Sequence, residues 1–193
     1  MARYFLFSLV FLSLYTAAQN NNSDKTTLSE GSSFLFKNVK SKLTNSEKNL
    51  MFRKTGLELS KDKKQFMSGE YPVEVQVFPT DLNKDGREEI FVGLASTSLF
   101  GNTGESFLLF TKNRAGTYEQ HEALGNGRPL ILSTKNLGYP DLLIGGPGFE
   151  FPVLRWNGKK YMYSKMMKDA VLQKTKSNDI DEFSKSYTSK IQP

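Results

Sequence analysis

The chain has 193 residues, with 26 Lys and Arg against 20 Asp and Glu, one His, one Trp and no Cys. Zero cysteines excludes a disulfide scaffold, a cysteine nucleophile, a thiolate metal site and a lipid-modified amino-terminal cysteine, and a single His excludes a multi-histidine metal site. Apolar residues at 38% and aromatics at 12% supply one packed core and argue against a disordered chain.

Residues 1–18 read as a cleaved signal peptide. Arg3 gives a short positive region, Phe5 to Leu14 an apolar run broken by Ser8 and Ser13, and Thr16-Ala17-Ala18 a small-residue cleavage site. The apolar run is shorter than the roughly 20 residues that span a bilayer, and no later segment is long and apolar enough to do so. Cleavage leaves 175 residues of the 193 and lowers the formal charge from +6 to +5. The expected location is therefore the periplasm or the extracellular space. The lysines are scattered among acids, and the densest runs, Lys61 to Lys64 and Lys159 to Lys160, lack the aromatic interleaving of a nucleic-acid groove. Nucleic acid is not an expected partner.

Residues 19–33 read as a flexible polar leader, and residues 34–70 as a helical segment that packs on a sheet. Thr44 followed by Glu47 is a capping-box pattern, with Leu50 and Met51 as the apolar face and Gly56 as the stop. Leu57, Leu59 and Phe66 mark a second short element ended by Ser68-Gly69. Residues 71–164 change to a period of two: Val73, Val75 and Val77, then Ile90, Val92 and Leu94. Further strands are expected over Phe107 to Phe110, Thr117 to His121, Leu130 to Leu132, Leu142 to Ile144, Val153 to Trp156 and Lys160 to Tyr163. Asn157-Gly158 predicts a two-residue hairpin that sets Leu154 opposite Tyr161 and Trp156 opposite Lys159. Residues 165–193 read as a polar tail, in which Ile180, Phe183, Tyr187 and Ile191 share one helical face behind Asn178 as a cap. The fold class is mainly β (α+β): an antiparallel meander, propeller-blade-like, with a short amino-terminal helix and a carboxy-terminal helix.

The most specific motif lies between two strands, at Asp81-Leu82-Asn83-Lys84-Asp85-Gly86-Arg87-Glu88-Glu89. Side-chain oxygens fall at loop positions one, three, five and nine, and Gly86 stands at the sharp turn. A calcium ion takes about 6 to 8 oxygens, which alternate residues of a tight loop can supply together. Asp81, Asn83, Asp85 and Glu89 are the candidate side-chain ligands, with Arg87 contributing its carbonyl. An EF-hand is excluded by Val92 at position twelve and by strand periodicity on both flanks. A plain polar turn without an ion is the competing reading, because Asn, Asp and Gly also make ordinary turns. The segment Asp81 to Ala95 resembles the calcium loops of FG-GAP and VCBS-type repeats, D-x-[DN]-x-D-G-x-x-[DE] followed by an apolar strand. That resemblance implies a structural calcium ion.

A weaker copy follows. Gly86 to Gly93 is echoed by Gly138 to Gly145, while Ser133, Lys135 and Leu137 stand where Asp81, Asn83 and Asp85 would match. Two copies cannot close a propeller, so a single curved sheet or a compact sandwich under the amino-terminal helix is expected. The string Gly101-Asn102-Thr103-Gly104, Gly145-Gly146-Pro147-Gly148-Phe149, Phe151-Pro152-Val153 and Arg155-Trp156-Asn157-Gly158-Lys159 is similar to a group of uncharacterised exported bacterial proteins. That group implies no activity. Its members often carry cysteines near the positions of Leu99 and Glu150, a cross-link that this chain lacks.

No G-x-S-x-G elbow or paired nucleophile and base is present, and His121 is expected as an exposed strand residue. A two-carboxylate glycan hydrolase would draw on Glu105, Glu119, Asp141 and Glu150, and an inhibitor of a cell-wall hydrolase is a third reading. The leading expectation is an exported calcium-binding β-rich module rather than a catalyst. Its partner is then a protein or glycan of the envelope or extracellular space.

Overall fold

The computed structural model describes residues 26–121 and 124–191. The expected signal peptide and residues 19–25 of the expected leader lie outside them. The elements run in chain order as α1 (Glu30–Leu35), α2 (Asn45–Thr55), β1 (Glu58–Leu59), β2 (Phe66–Ser68), β3 (Tyr71–Thr80), β4 (Glu89–Ala95), α3 (Thr97–Phe100) and β5 (Glu105–Lys112). Then follow β6 (Tyr118–His121), β7 (Arg128–Asn136), β8 (Tyr139–Gly145), β9 (Glu150–Trp156), β10 (Tyr161–Lys168), α4 (Asp169–Leu172), β11 (Ser177–Asp179) and α5 (Ile180–Thr188). The strands make two antiparallel sheets. The first is a six-stranded meander, β1-β2-β3-β4-β5-β6, and the second has five strands in the order β10-β9-β8-β7-β11.

All eight strands expected from the alternation are present, and the sheets pack as a sandwich. Phe78, Phe91, Phe107 and Leu109 of the first sheet meet Ile131, Leu142, Ile144 and Trp156 of the second. Gly93 makes that contact possible, since a Cβ there would fall 2.9 Å from the Phe107 ring and 3.2 Å from Phe78. The far face of the first sheet, with Val73, Ile90, Val92 and Phe110, is covered by Leu35, Met51 and their neighbours from α1 and α2. The far face of the second sheet, with Leu132, Leu143, Phe151, Val153 and Met167, is covered by Leu172. Leu172 lies on the crossover that carries the chain from β10 at one edge to β11 at the other.

The repeat explains how the sheets stack. Ile90, Phe91 and Val92 of β4 correspond to Leu142, Leu143 and Ile144 of β8. Phe91 faces the inter-sheet core, but its counterpart Leu143 faces away from it. Ile90 and Val92 face the helices, but Leu142 and Ile144 face the core. The second sheet thus lies on the first front to back, each presenting the opposite face of the same repeat.

Several expectations are corrected. The leader does not extend to residue 33, because Glu30 begins α1, capped by the Ser29 side chain, and the buried Asn49 fixes the preceding strand of chain at Ser29 and Thr27. Residues 34–70 are not helical throughout: the Thr44–Glu47 capping box and Gly56 stop form as expected, but β1 and β2 then join the first sheet. The hairpin after β9 has four residues rather than two, with Tyr161 opposite Trp156 and Tyr163 opposite Leu154. Asn157 causes this, because its Oδ1 accepts both the Lys159 and the Lys160 amides and widens the turn. The helix expected beyond residue 165 forms as α5, with differences in detail around it. β11 pairs with β7, Asp179 rather than Asn178 caps α5, and Ile180 is fully buried in the core.

Candidate functional site

The Asp81–Glu89 loop joins β3 to β4 at one end of the first sheet. Lys84 and Gly86 both take left-handed backbone, with φ of 63° and 84°, which folds the loop back on itself. Gly86 meets that demand without steric cost. The expected ligand residues organise the turn: Asp81 Oδ2 accepts the Gly86 amide at 3.1 Å, Asn83 Oδ1 the Asp85 amide at 3.0 Å, and Asp85 Oδ1 the Arg87 amide at 2.8 Å. Asn83 Nδ2 also donates to Asp85 Oδ2, and the Arg87 guanidinium lies 3.5 Å from that carboxylate on the exposed side.

Glu89 is different. It is 2% exposed and turned into the inter-sheet core, where its Oε2 accepts the Leu82 amide at 2.7 Å and its Oε1 the Tyr139 hydroxyl at 3.1 Å. Burial pushes its pKa up to about 8 against those two hydrogen bonds, and the charges of Asp85 and Asp81 add to the rise. The second oxygen of Asp81, Oδ1, is buried and has no hydrogen-bond partner among the described residues. Such an atom costs about 1–3 kcal/mol or more unless something satisfies it. The loop therefore brings together Asp81, Asn83 and Asp85 with the Arg87 backbone, and sets Glu89 beneath them. Among the described residues, no three Asp, Glu or His side chains are gathered closely enough to hold a metal ion by themselves.

Beside Glu89, Glu88 points to the helical face and is 3% exposed. Both its oxygens accept the Lys42 amide at 3.0 Å, and Tyr187 of α5 donates to it at 3.3 Å, so one residue anchors both flanks of the chain. Burial raises its pKa, opposed by these bonds. No sequence pattern marks this role, since Glu88 reads only as one acid in an acidic loop.

The repeat position matching Glu89 is Asp141, which is 1% exposed and held by Arg155 at 2.7 and 2.9 Å and by the Thr134 hydroxyl at 2.6 Å. Burial alone would raise its pKa, but the hydrogen bonds from Arg155 and Thr134 and the guanidinium charge hold it below the usual carboxylate value. The other hydrolase candidates are dispersed: Glu105 pairs with Arg128, Glu119 accepts from Asn113, and Glu150 lies 4.0 Å from Lys168. His121 is buried rather than exposed, its Nε2 2.6 Å from the Thr111 hydroxyl, and burial lowers its pKa. Phe149 is 87% exposed, whereas Phe151 and Trp156 are buried in different layers of the sandwich, so the three form no common patch. Leu99 packs toward the helical face from α3.

No family model, curated protein or solved structure matches this chain.

Proposed function

We propose that the chain is an exported, β-rich binding module of the envelope or extracellular space, pinned by one structural calcium ion in the Asp81–Glu89 loop. The observation that carries this reading is the pair of carboxylates there that lack a countercharge or a partner. Asp81 Oδ1 is buried without a partner, and the buried Glu89 has amide and phenol donors but no cation within ion-pair distance among the described residues, whereas Asp141 at the matching position has Arg155. A hard cation between Asp81 and Asp85, completed by Asn83 and the Arg87 carbonyl, would occupy the orphan oxygen and ionise Glu89. The loop's resemblance to FG-GAP and VCBS-type repeats agrees with it, and the front-to-back stacking favours a propeller-blade-like reading of each sheet. The hydrogen-bond frame already built by Asp81, Asn83 and Asp85 means that the ion orders side chains rather than folding the loop.

With a dissociation constant of about 0.1 mM, as in extracellular modules, about 1 mM calcium adds about 1.4 kcal/mol. Titration calorimetry and thermal melting with calcium or chelator test this. The expected result is a binding heat and a raised midpoint, both lost in Asp85→Ala. No heat, an unchanged midpoint and a variant that melts like the parent would remove the ion.

A further inference from the structure

A cleft of about 660 Å³ opens beside the loop, between Arg87, the β5–β6 turn and the β9–β10 hairpin. That volume suits a small organic ligand. Tyr139 and Trp156 line it and stack on each other, with ring centroids 4.3 Å apart and planes 23° from parallel. The edges of His121, at 5.6 Å, and Tyr161, at 5.2 Å, hold the Trp156 ring in place. Trp156 is itself buried, so the aromatic surface open to the cleft is the partly exposed Tyr139 ring that it backs.

Three hairpins each bring one cation to the rim: Arg87, Arg114 and Lys159. Neither Arg114 nor Lys159 has a carboxylate within 4.0 Å among the described residues. The fourth rim cation, Lys112, is already neutralised by Glu47 at 2.8 Å. Two acids also line the cleft, Asp85 at 3.5 Å from the Arg87 guanidinium and Glu119, which accepts from the Asn113 side chain at 2.8 Å, and Thr111 is committed to His121. What remains for a ligand is positive charge over aromatic surface, with the neutral polar groups already used internally.

We infer that this cleft binds a small ring-bearing carboxylate, its flat face against the Tyr139 ring that Trp156 backs and its anionic group between Arg114 and Lys159. Two sources share that chemistry: a uronic acid unit of an acidic glycan, and an aryl acid. The site stands apart from the calcium reading, because none of these cations or rings is a proposed ligand through its side chain.

Trp156 is the only tryptophan in the chain, so its emission reports on the cleft. The mature protein is titrated with glucuronate and with benzoate, and in parallel with glucose, benzyl alcohol and acetate, each with calcium and with chelator. The expected result is a saturable change with a ring acid and none with the neutral rings or acetate; which acid responds names the source. Arg114→Ala with Lys159→Ala weakens that binding by about tenfold or more while leaving the free protein's emission and melting midpoint unchanged. Binding in chelator, or only with calcium, supports the site equally, whereas the ion itself is judged by Asp85→Ala calorimetry. No saturable change with either acid, an equal response to a neutral ring or to acetate, or a double variant that binds like the parent would overturn the assignment.

Discussion

At equivalent places in the two sheets stand two buried carboxylates. Asp141 carries its countercharge with it, in Arg155 at 2.7 Å, and is held below the ordinary carboxylate pKa. Glu89 is as deeply buried, yet has only an amide and a phenol as donors and is raised to about 8. The same strand pattern therefore tolerates a buried acid in two ways, one held by a guanidinium of the chain and one held by neutral donors alone. The loops leading into them differ accordingly. Ahead of Glu89 come Asp81, Asn83 and Asp85; ahead of Asp141 come Ser133, Lys135 and Leu137.

Five substitutions sharpen or break this comparison. The largest effect is expected at the apolar pair. Phe91→Ala should destabilise by about 3–5 kcal/mol in urea unfolding, because the cavity opens between the sheets. Leu143→Ala should cost about 2–4 kcal/mol, and hydrogen exchange should loosen only the crossover side of the second sheet. Loosening that spreads alike through both sheets in the two variants would contradict front-to-back stacking.

Next come the acids, whose pH dependences should have opposite sign. Asp141 has a depressed native pKa, so its contribution is present above the unfolded value of about 3.8 and is lost as pH falls through the native one. Glu89 has a raised native pKa, so without calcium stability should fall as pH rises from about 4.5 toward about 8. In chelator at pH 8, Asp141→Asn should destabilise by about 1–3 kcal/mol while Glu89→Gln is neutral or stabilising. Thermal melts from about pH 2 to about pH 8, a range that brackets both transitions, check both; the same sign for the two would break the contrast. The smallest effect belongs to Leu137, 67% exposed with φ of 48° where its repeat partner is Asp85. Leu137→Asn should stabilise by about 0.5 kcal/mol, since Asn tolerates left-handed backbone, and an unchanged melting midpoint would count against it.

The strands were legible because Val73, Val75 and Val77, and Ile90 and Val92, fall on every second residue and so share the helix-covered face, with Phe78 and Phe91 on the inter-sheet side. The helix ends were legible because Thr44, Glu47 and Gly56 act locally. What escaped the sequence depends on distant partners. Ser177–Asp179 has no strand pattern, and becomes β11 because the β7 edge and Arg128, bound to Asp179 at 2.8 Å, hold it there. His121 lies between polar neighbours in sequence, yet the second sheet buries it under Trp156. At the loop, spacing gave the residues that build the turn, but not that Glu89 would face inward, because Tyr139 reaches it from fifty residues away.

The front-to-back stacking has a consequence for assembly. A contact between unlike faces does not close on itself as a twofold contact does; repeated, it grows into a filament. The two terminal faces here are sealed by unrelated pieces of chain, α1 and α2 at one end and the α4 crossover at the other. These segments serve as end plates. Stripping either would expose the apolar sheet face beneath it.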